Sequence, residues 1–156
     1  MPYTLLKYHF YYYDFKMALG NVIIEEKGKI TSQRVVDVKG PNVETSFAAT
    51  GRYVGTDGIE IGTYSTVLRE NGVLYGEGQG VITTTDDKEM ATWTGQGIGR
   101  ISSSGKTSFR GSLFFRTIYP QPSSSRKLSV LNNAVGVFEY EVDEMGNTFS
   151  KVWEWK

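Results

Sequence analysis

The sequence predicts an all-β fold, a closed antiparallel eight-stranded up-and-down β-barrel, with a β-sandwich as the alternative. Three observations carry this expectation. Eight stretches rich in β-branched and aromatic residues are separated by turn chemistry. No stretch sustains the 3.6-residue apolar period of a helix, so at most a short helical turn is expected near residues 126–132. Most connections are tight, which suits consecutive hairpins, whereas the crossovers of a sandwich need longer loops. Closure also removes exposed sheet edges, and eight strands leave an interior that is filled by side chains or holds one small ligand.

The elements follow in order. The first strand covers residues 21–37, with Gly28 as a bend or bulge. Lys39-Gly40-Pro41-Asn42 turns the chain into a second strand over 43–53. Gly55-Thr56-Asp57-Gly58 leads to the third, over 59–70. Asn71-Gly72 is the strongest local signal, because this pair takes the positive φ values of a type I′ hairpin turn. The fourth strand, 73–84, and the fifth, 89–101, are joined by Thr85-Asp86-Asp87-Lys88. After Ser102-Ser103-Ser104-Gly105 comes the sixth, 106–117. Residues 119–131 hold Pro120, Pro122 and a serine run, and form the longest irregular connection. The seventh strand, 134–142, is turned by Glu144-Met145-Gly146-Asn147 into the eighth, 148–155.

Residues 74–101 stand out. Gly76, Gly78 and Gly80 alternate along one strand, and Gly95, Gly97 and Gly99 along the next. A two-residue Asn71-Gly72 loop pairs Tyr64 with Gln79, Thr66 with Glu77 and Leu68 with Tyr75. If the next loop has an even length, Gly76 opposes Gly97, Gly78 opposes Gly95 and Trp93 opposes Gly80. One face is then a bare glycine stripe under an indole. An odd loop interleaves glycine with Glu77 and Gln79 instead, since a one-residue slip exchanges the faces. Structurally, the glycines permit coiling at a barrel corner with Trp93 covering bare backbone. Functionally, they make room for a ligand or a second subunit. They are not a dinucleotide fingerprint, which needs a strand-to-helix turn.

Composition narrows the function. The 156 residues form one barrel domain over 17–156, preceded by an arm, 1–16, with seven of the 21 aromatic residues. That arm reads either as an extension upstream of a start at Met17, or as a segment that packs on the barrel or on a neighbouring subunit. Seventeen basic residues balance 17 acidic ones without a basic run, which argues against nucleic-acid binding. There is no cysteine, and no apolar run approaches the roughly 20 residues of a transmembrane helix. The expected location is cytoplasmic, without membrane insertion. His9, in the arm, is the sole histidine, so the barrel holds no imidazole base or His-metal site. Asp86, Asp87 and Glu89 lack the spacing of a calcium loop, and neither metal nor cofactor is expected.

Any chemistry must therefore use carboxylates, Tyr, Lys, Arg or water. The candidate ligand-binding residues are Tyr64, Tyr75, Glu77, Gln79, Trp93, Thr94, Gln96 and Arg110. Glu77 is the best candidate for catalysis, because a carboxyl buried in an apolar cavity has a raised pKa. Arg110 is its possible counter-ion. The plainer reading of Glu77, Gln79 and Gln96 is a solvated outer face, and of Arg116 with Glu139 or Glu141 an exposed cross-strand ion pair.

Residues 128–142, LSVLNNAVGVFEYEV, together with the glycine-alternating strands, resemble the allene oxide cyclase and dirigent type of calycin-like barrel. Asn132, Asn133, Gly136 and Phe138 match that pattern, while Glu139 stands where those families place another glycine. The chain also looks like small uncharacterised microbial barrel proteins. The first resemblance implies an apolar cavity and assembly as dimers or trimers, and it transfers no catalytic residue. The leading expectation is a barrel that binds a small hydrophobic molecule. The alternatives are a cyclase or isomerase acting on a hydrophobic substrate, and a structural, oligomerising barrel with a filled interior.

Overall fold

The computed structural model describes residues 19–118 and 126–156. The aromatic arm, His9 and part of the long connection lie outside the described residues. The strands are β1 (Leu19–Asp37), β2 (Asn42–Tyr53), β3 (Thr56–Leu68), β4 (Val73–Thr84), β5 (Met90–Ile101), β6 (Thr107–Ile118), β7 (Val135–Val142) and β8 (Asn147–Trp155). Each pairs antiparallel with its neighbour in sequence, and β8 returns to β1 to close the barrel. The short helical turn expected in 126–132 is a single 3-10 turn at Ser129–Leu131.

β1 is the longest strand, and irregularities in its pairing with β2 fall between Ile30 and Ser32 and between Val35 and Asp37. Gly28, expected as a bend or bulge, stays in register opposite Ala49 and Thr148. A Cβ there would run into the backbone of Ala48, so glycine is needed for close approach of the strands.

The β3–β4 hairpin corrects the expected register. Asn71 and Gly72 do take positive φ, at 60° and 69°. Glu70 joins the turn as an extra residue: the Val73 N–H bonds the Glu70 carbonyl, and the Arg69 N–H bonds the Val73 carbonyl at 2.7 Å. Every later pair therefore moves by one. Tyr64 opposes Gly78, Ser65 opposes Glu77 and Val67 opposes Tyr75. The β4–β5 hairpin has an even loop, with Gly76 opposite Gly97, Gly78 opposite Gly95 and Gly80 opposite Trp93. The glycine face is the inner face.

Inside, two apolar clusters fill the two ends. One contains Tyr53, Ile82, Ala91, Trp93, Phe115 and Val152, with Leu128 and Leu131 pressed in from the 126–134 segment. The other contains Leu74, Phe109 and Tyr140. Glu89 fastens the first end. Its carboxylate accepts the N–H groups of Lys127 at 3.0 Å and Leu128 at 3.1 Å, while the Lys127 ammonium pairs with Asp87 at 2.9 Å. The acidic turn 86–89 thus has a structural task, holding the segment that plugs the barrel.

Trp93 lies on the bare backbone of Gly80, and a Cβ at Gly80 would overlap its indole ring. Gly80→Ala is therefore expected to lower stability by about 1–3 kcal/mol, the usual range for overpacking a filled core. Urea unfolding followed by Trp fluorescence checks this.

Candidate functional site

Between the two apolar clusters lies a cavity of about 70 Å3. Its wall is the inner backbone of Gly76, Gly78, Gly95 and Gly97. The rings of Phe47, Tyr64, Phe109, Phe138 and Tyr140 line the rest, with Trp93 and Leu113. Period-2 alternation places these groups: each aromatic residue sits at the same parity as the glycines on its neighbouring strand. Four rings form a connected group, from Phe47–Tyr140 at 5.6 Å to Phe109–Tyr140 at 6.4 Å between centroids. At Gly78, Gly95 and Gly97 the side chains of Tyr64, Leu113 and Phe138 pack on the bare backbone, and the open room lies at Gly76. At Gly76 an added Cβ would meet nothing nearer than 3.5 Å.

Glu26, which is 6% exposed, reaches this cavity from β1, while Glu77 and Gln96, also at its border, are exposed residues of the glycine strands. Glu60 on β3 is 4% exposed and lies beside Glu26. The Tyr53 hydroxyl donates to Glu26 Oε2 at 2.5 Å, and the Trp93 indole N–H donates to Glu60 Oε1 at 2.8 Å. The two carboxyl groups are within hydrogen-bonding reach of each other. Two ionised carboxylates have no proton to place between them, so that contact requires one to be protonated.

The electrostatics agree. Burial raises the Glu60 pKa well above the ordinary carboxylate range, and the adjacent Glu26 raises it further. Burial also raises Glu26, opposed by the hydrogen bonds from Tyr53 and Glu60. Burial, followed by the negative charge of the pair, pushes the Tyr53 hydroxyl up, so it remains a donor. Tyr140 is raised by burial first and by Tyr64, Glu26 and Glu60 after it. Its buried hydroxyl has no partner in hydrogen-bonding geometry among the described residues.

The residues singled out in the sequence divide cleanly. Tyr64 and Trp93 line the cavity with their rings. Glu77, Gln79, Thr94 and Gln96 are exposed on the outer face, back to back with the glycine wall. Tyr75 also points outward, where its hydroxyl bonds Glu77 and the Arg69 guanidinium stacks 4.0 Å above its ring. Glu77, proposed as a buried catalytic carboxylate, therefore stands in solvent, because inner parity on β4 belongs to its glycine neighbours. Arg110 is exposed too and pairs with Glu139 at 3.1 Å, across the β6–β7 register, rather than with Glu77. The plainer reading, a solvated outer face, holds for Glu77, Gln79 and Gln96.

Glu26 and Glu60 were missed. Glu60 sits between Ile59 and Ile61, and the hydrophobic pattern assigns those isoleucines to the core. The reverse holds: Ile59 and Ile61 are 47% and 61% exposed. A usable signal was present in Gly58-x-Glu60-x-Gly62, which carries the inner glycine parity from β4 onto β3. Among the described residues, no group of three or more potential metal ligands comes together.

No protein-family model matches the chain, and no curated protein matches it. Its fold is similar to solved bacterial structures. A protein of unknown function from Clostridium acetobutylicum ATCC 824 superposes with a TM-score of 0.70 at 14% identity, over 87% of this chain and 98% of that one. A conserved protein of unknown function from Rhodopseudomonas palustris gives 0.65 at 14% identity, over 89% and 98%. A beta-barrel-like protein from Acinetobacter baumannii AYE gives 0.66 at 14% identity, over 87% and 96%. At this identity the likeness concerns the fold alone.

The carboxyl pair makes stability depend on pH. Both folded values lie above the ordinary glutamate value of 4.5. The pair's contribution is therefore fully present below about pH 4.5 and is lost as pH rises through the raised folded values. Glu60→Gln keeps an acceptor for Trp93 and a donor for Glu26 while removing the titration. The variant is expected to fold, and to lose less stability than the wild type between pH 5 and pH 8. Urea unfolding at the two pH values measures the difference.

Proposed function

We propose that the barrel binds a small, largely apolar molecule in the cavity against the glycine wall. The observation that carries this reading is the combination of bare backbone on one side and aromatic rings on the other. Together they leave space where a filled barrel would have side chains. A space of about 70 Å3 is well below the roughly 300–1,000 Å3 of drug-sized pockets. The occupant buried there is accordingly a group of a few heavy atoms, such as a short chain or one edge of a ring, not a fatty acid or a terpenoid. The resemblance to allene oxide cyclase and dirigent barrels supports an apolar cavity of this kind. In the cyclase or isomerase reading, the acid–base group would move from Glu77 to the Glu26–Glu60 pair.

The test is an NMR titration of the full chain with benzene and toluene. Shifts confined to the Trp93 indole N–H, Phe109, Leu113 and the glycine wall are expected. No response at millimolar ligand would sink the proposal. Gly76→Ala adds a methyl group where space exists, so stability should hold or rise by about 0.4–1 kcal/mol as the unfolded chain loses freedom. The same change should weaken binding several-fold, as followed in the same titration.

The outer face favours a second reading, in which the barrel associates with copies of itself as a dimer or trimer. Ala48, Ile61 and Val81 face outward in one row across β2, β3 and β4, with Ile59 one step along β3. An exposed apolar strip of this kind marks an interaction surface. Ile61→Lys is expected to lower the mass measured by light scattering if this strip is the interface. An unchanged mass removes it.

A further inference from the structure

The polar end of the cavity has an acidic charge with no cation to balance it among the hydrogen-bonding partners that the structure gives it. Glu26 faces Tyr53 from β2, Glu60 and Tyr64 from β3, Trp93 from β5, Tyr140 from β7 and Ser150 from β8. These supply hydroxyl and indole donors but no positive charge. Glu26 is a buried carboxyl at the wall of an apolar space, and its ionised form has no positive partner among these groups. Such a charge is expensive to bury unless a cation accompanies it.

A second observation is independent of the carboxyls. The Tyr140 hydroxyl, on a side chain that is 8% exposed, is buried beside the Tyr64 hydroxyl but makes no hydrogen bond of good geometry among the described residues. Tyr140 lines the same cavity and lies near enough to Glu26 and Glu60 for both to act on its ionisation. A buried hydroxyl left unsatisfied costs about 1–3 kcal/mol, so a polar atom of a ligand is the partner it lacks. The remaining walls are the faces and edges of Phe47, Tyr64 and Phe109. Aromatic faces attract a cation by about 0.5–2 kcal/mol when water is excluded.

We propose that this end of the cavity binds the ammonium group of a small primary amine. Glu26 and the Tyr140 hydroxyl accept its N–H groups, and the aromatic walls enclose its alkyl or aryl part. The proposal rests on the cavity reading above and names the class of ligand. No covalent step is involved. An ammonium favours ionised Glu26, so when Glu26 is protonated its proton passes to solvent as the amine enters. Binding then tightens with pH, by up to about tenfold per unit while Glu26 still holds its proton, and levels off once it has ionised.

The experiment is an NMR titration of the full chain with n-butylamine and benzylamine, each compared with its neutral counterpart, n-butanol or benzyl alcohol. The wild type is expected to bind each amine at least about tenfold more tightly than its alcohol at pH 7. Glu26→Gln should remove that preference and leave alcohol binding intact. Tyr140→Phe, which keeps the ring and removes the hydroxyl, should reduce the preference several-fold, and it serves as the decisive variant if Glu26→Gln does not fold. Amine binding should strengthen as pH rises through the raised Glu26 value and then level off, while alcohol binding stays flat. Equal binding of amine and alcohol overturns the ammonium site and leaves the apolar cavity standing. Binding of neither amine nor alcohol, with no response to benzene or toluene, overturns both. An amine preference that survives both substitutions also overturns the assignment.

Discussion

The interior is organised by one contact, the Trp93 indole lying on the bare backbone of Gly80 with its N–H directed at Glu60. The consequences follow in sequence. A large indole fits inside an eight-stranded barrel where the opposing wall has no side chain, and the glycine alternation provides that wall. An indole N–H enclosed by apolar groups needs an acceptor. The acceptor is a carboxyl on the neighbouring strand, where Gly58 and Gly62 flank it and leave the same inner parity free. That carboxyl in turn needs partners, and Glu26 and Tyr53 supply them. A stripe of glycines thus leads to a polar centre in an apolar barrel.

Stability alone does not account for this centre. Replacing buried charged groups by well-packed apolar side chains of similar volume is often neutral or favourable. Val or Leu at position 60, with Phe at 93, would give a simpler core of the same size. Strongly perturbed carboxyls beside a cavity are instead a recurrent mark of sites that handle charge or protons. Glu89 provides the internal contrast. It is equally buried, but its carboxylate is satisfied by two backbone N–H groups of the plug, and it touches no cavity. One buried glutamate closes the fold, while Glu26 lines the cavity and Glu60 lies beside it, bonded to Trp93.

How much of this was legible depended on parity. The turn residues Asn71-Gly72, Thr85–Lys88 and Glu144–Asn147 marked the strand boundaries, but the parity of the β4–β5 loop was open in the sequence, and its even length sets glycine against glycine. The β3–β4 register was not legible, because Glu70 enters the turn as an extra residue and no composition rule distinguishes that from a two-residue loop. That single residue moved Tyr64 to the inner face and separated it from Tyr75, Glu77 and Gln79. Ile59-Glu60-Ile61 misleads more deeply. Burying Glu60 between exposed isoleucines inverts the hydrophobic pattern, and only tertiary partners on β1, β2 and β5 make it tolerable. Polar residues in strands drew attention to the outer face, and the inner ones were hidden by their apolar neighbours.

The two ends of the barrel differ in a way that bears on access. At one end Leu128 and Leu131 are fully buried, and the segment that carries them is tied down by Glu89 and by the Lys127–Asp87 ion pair. Opening that end would break charge-assisted backbone hydrogen bonds, worth about 1.5–3 kcal/mol each, and expose both leucines. At the other end Tyr64 meets Phe109 and Tyr140 edge to face, at 6.0 Å and 5.7 Å between centroids, and Phe109 and Tyr140 are tilted at 6.4 Å. Aromatic pairs contribute about 0.5–1.5 kcal/mol each beyond their burial, and the Tyr140 hydroxyl adds no hydrogen bond to hold them. Displacing one ring there breaks less than lifting the plug. Of the two ends, the aromatic one is held by the weaker contacts, and under the proposed function it is the route for a ligand, with Tyr140 close to the carboxyl pair.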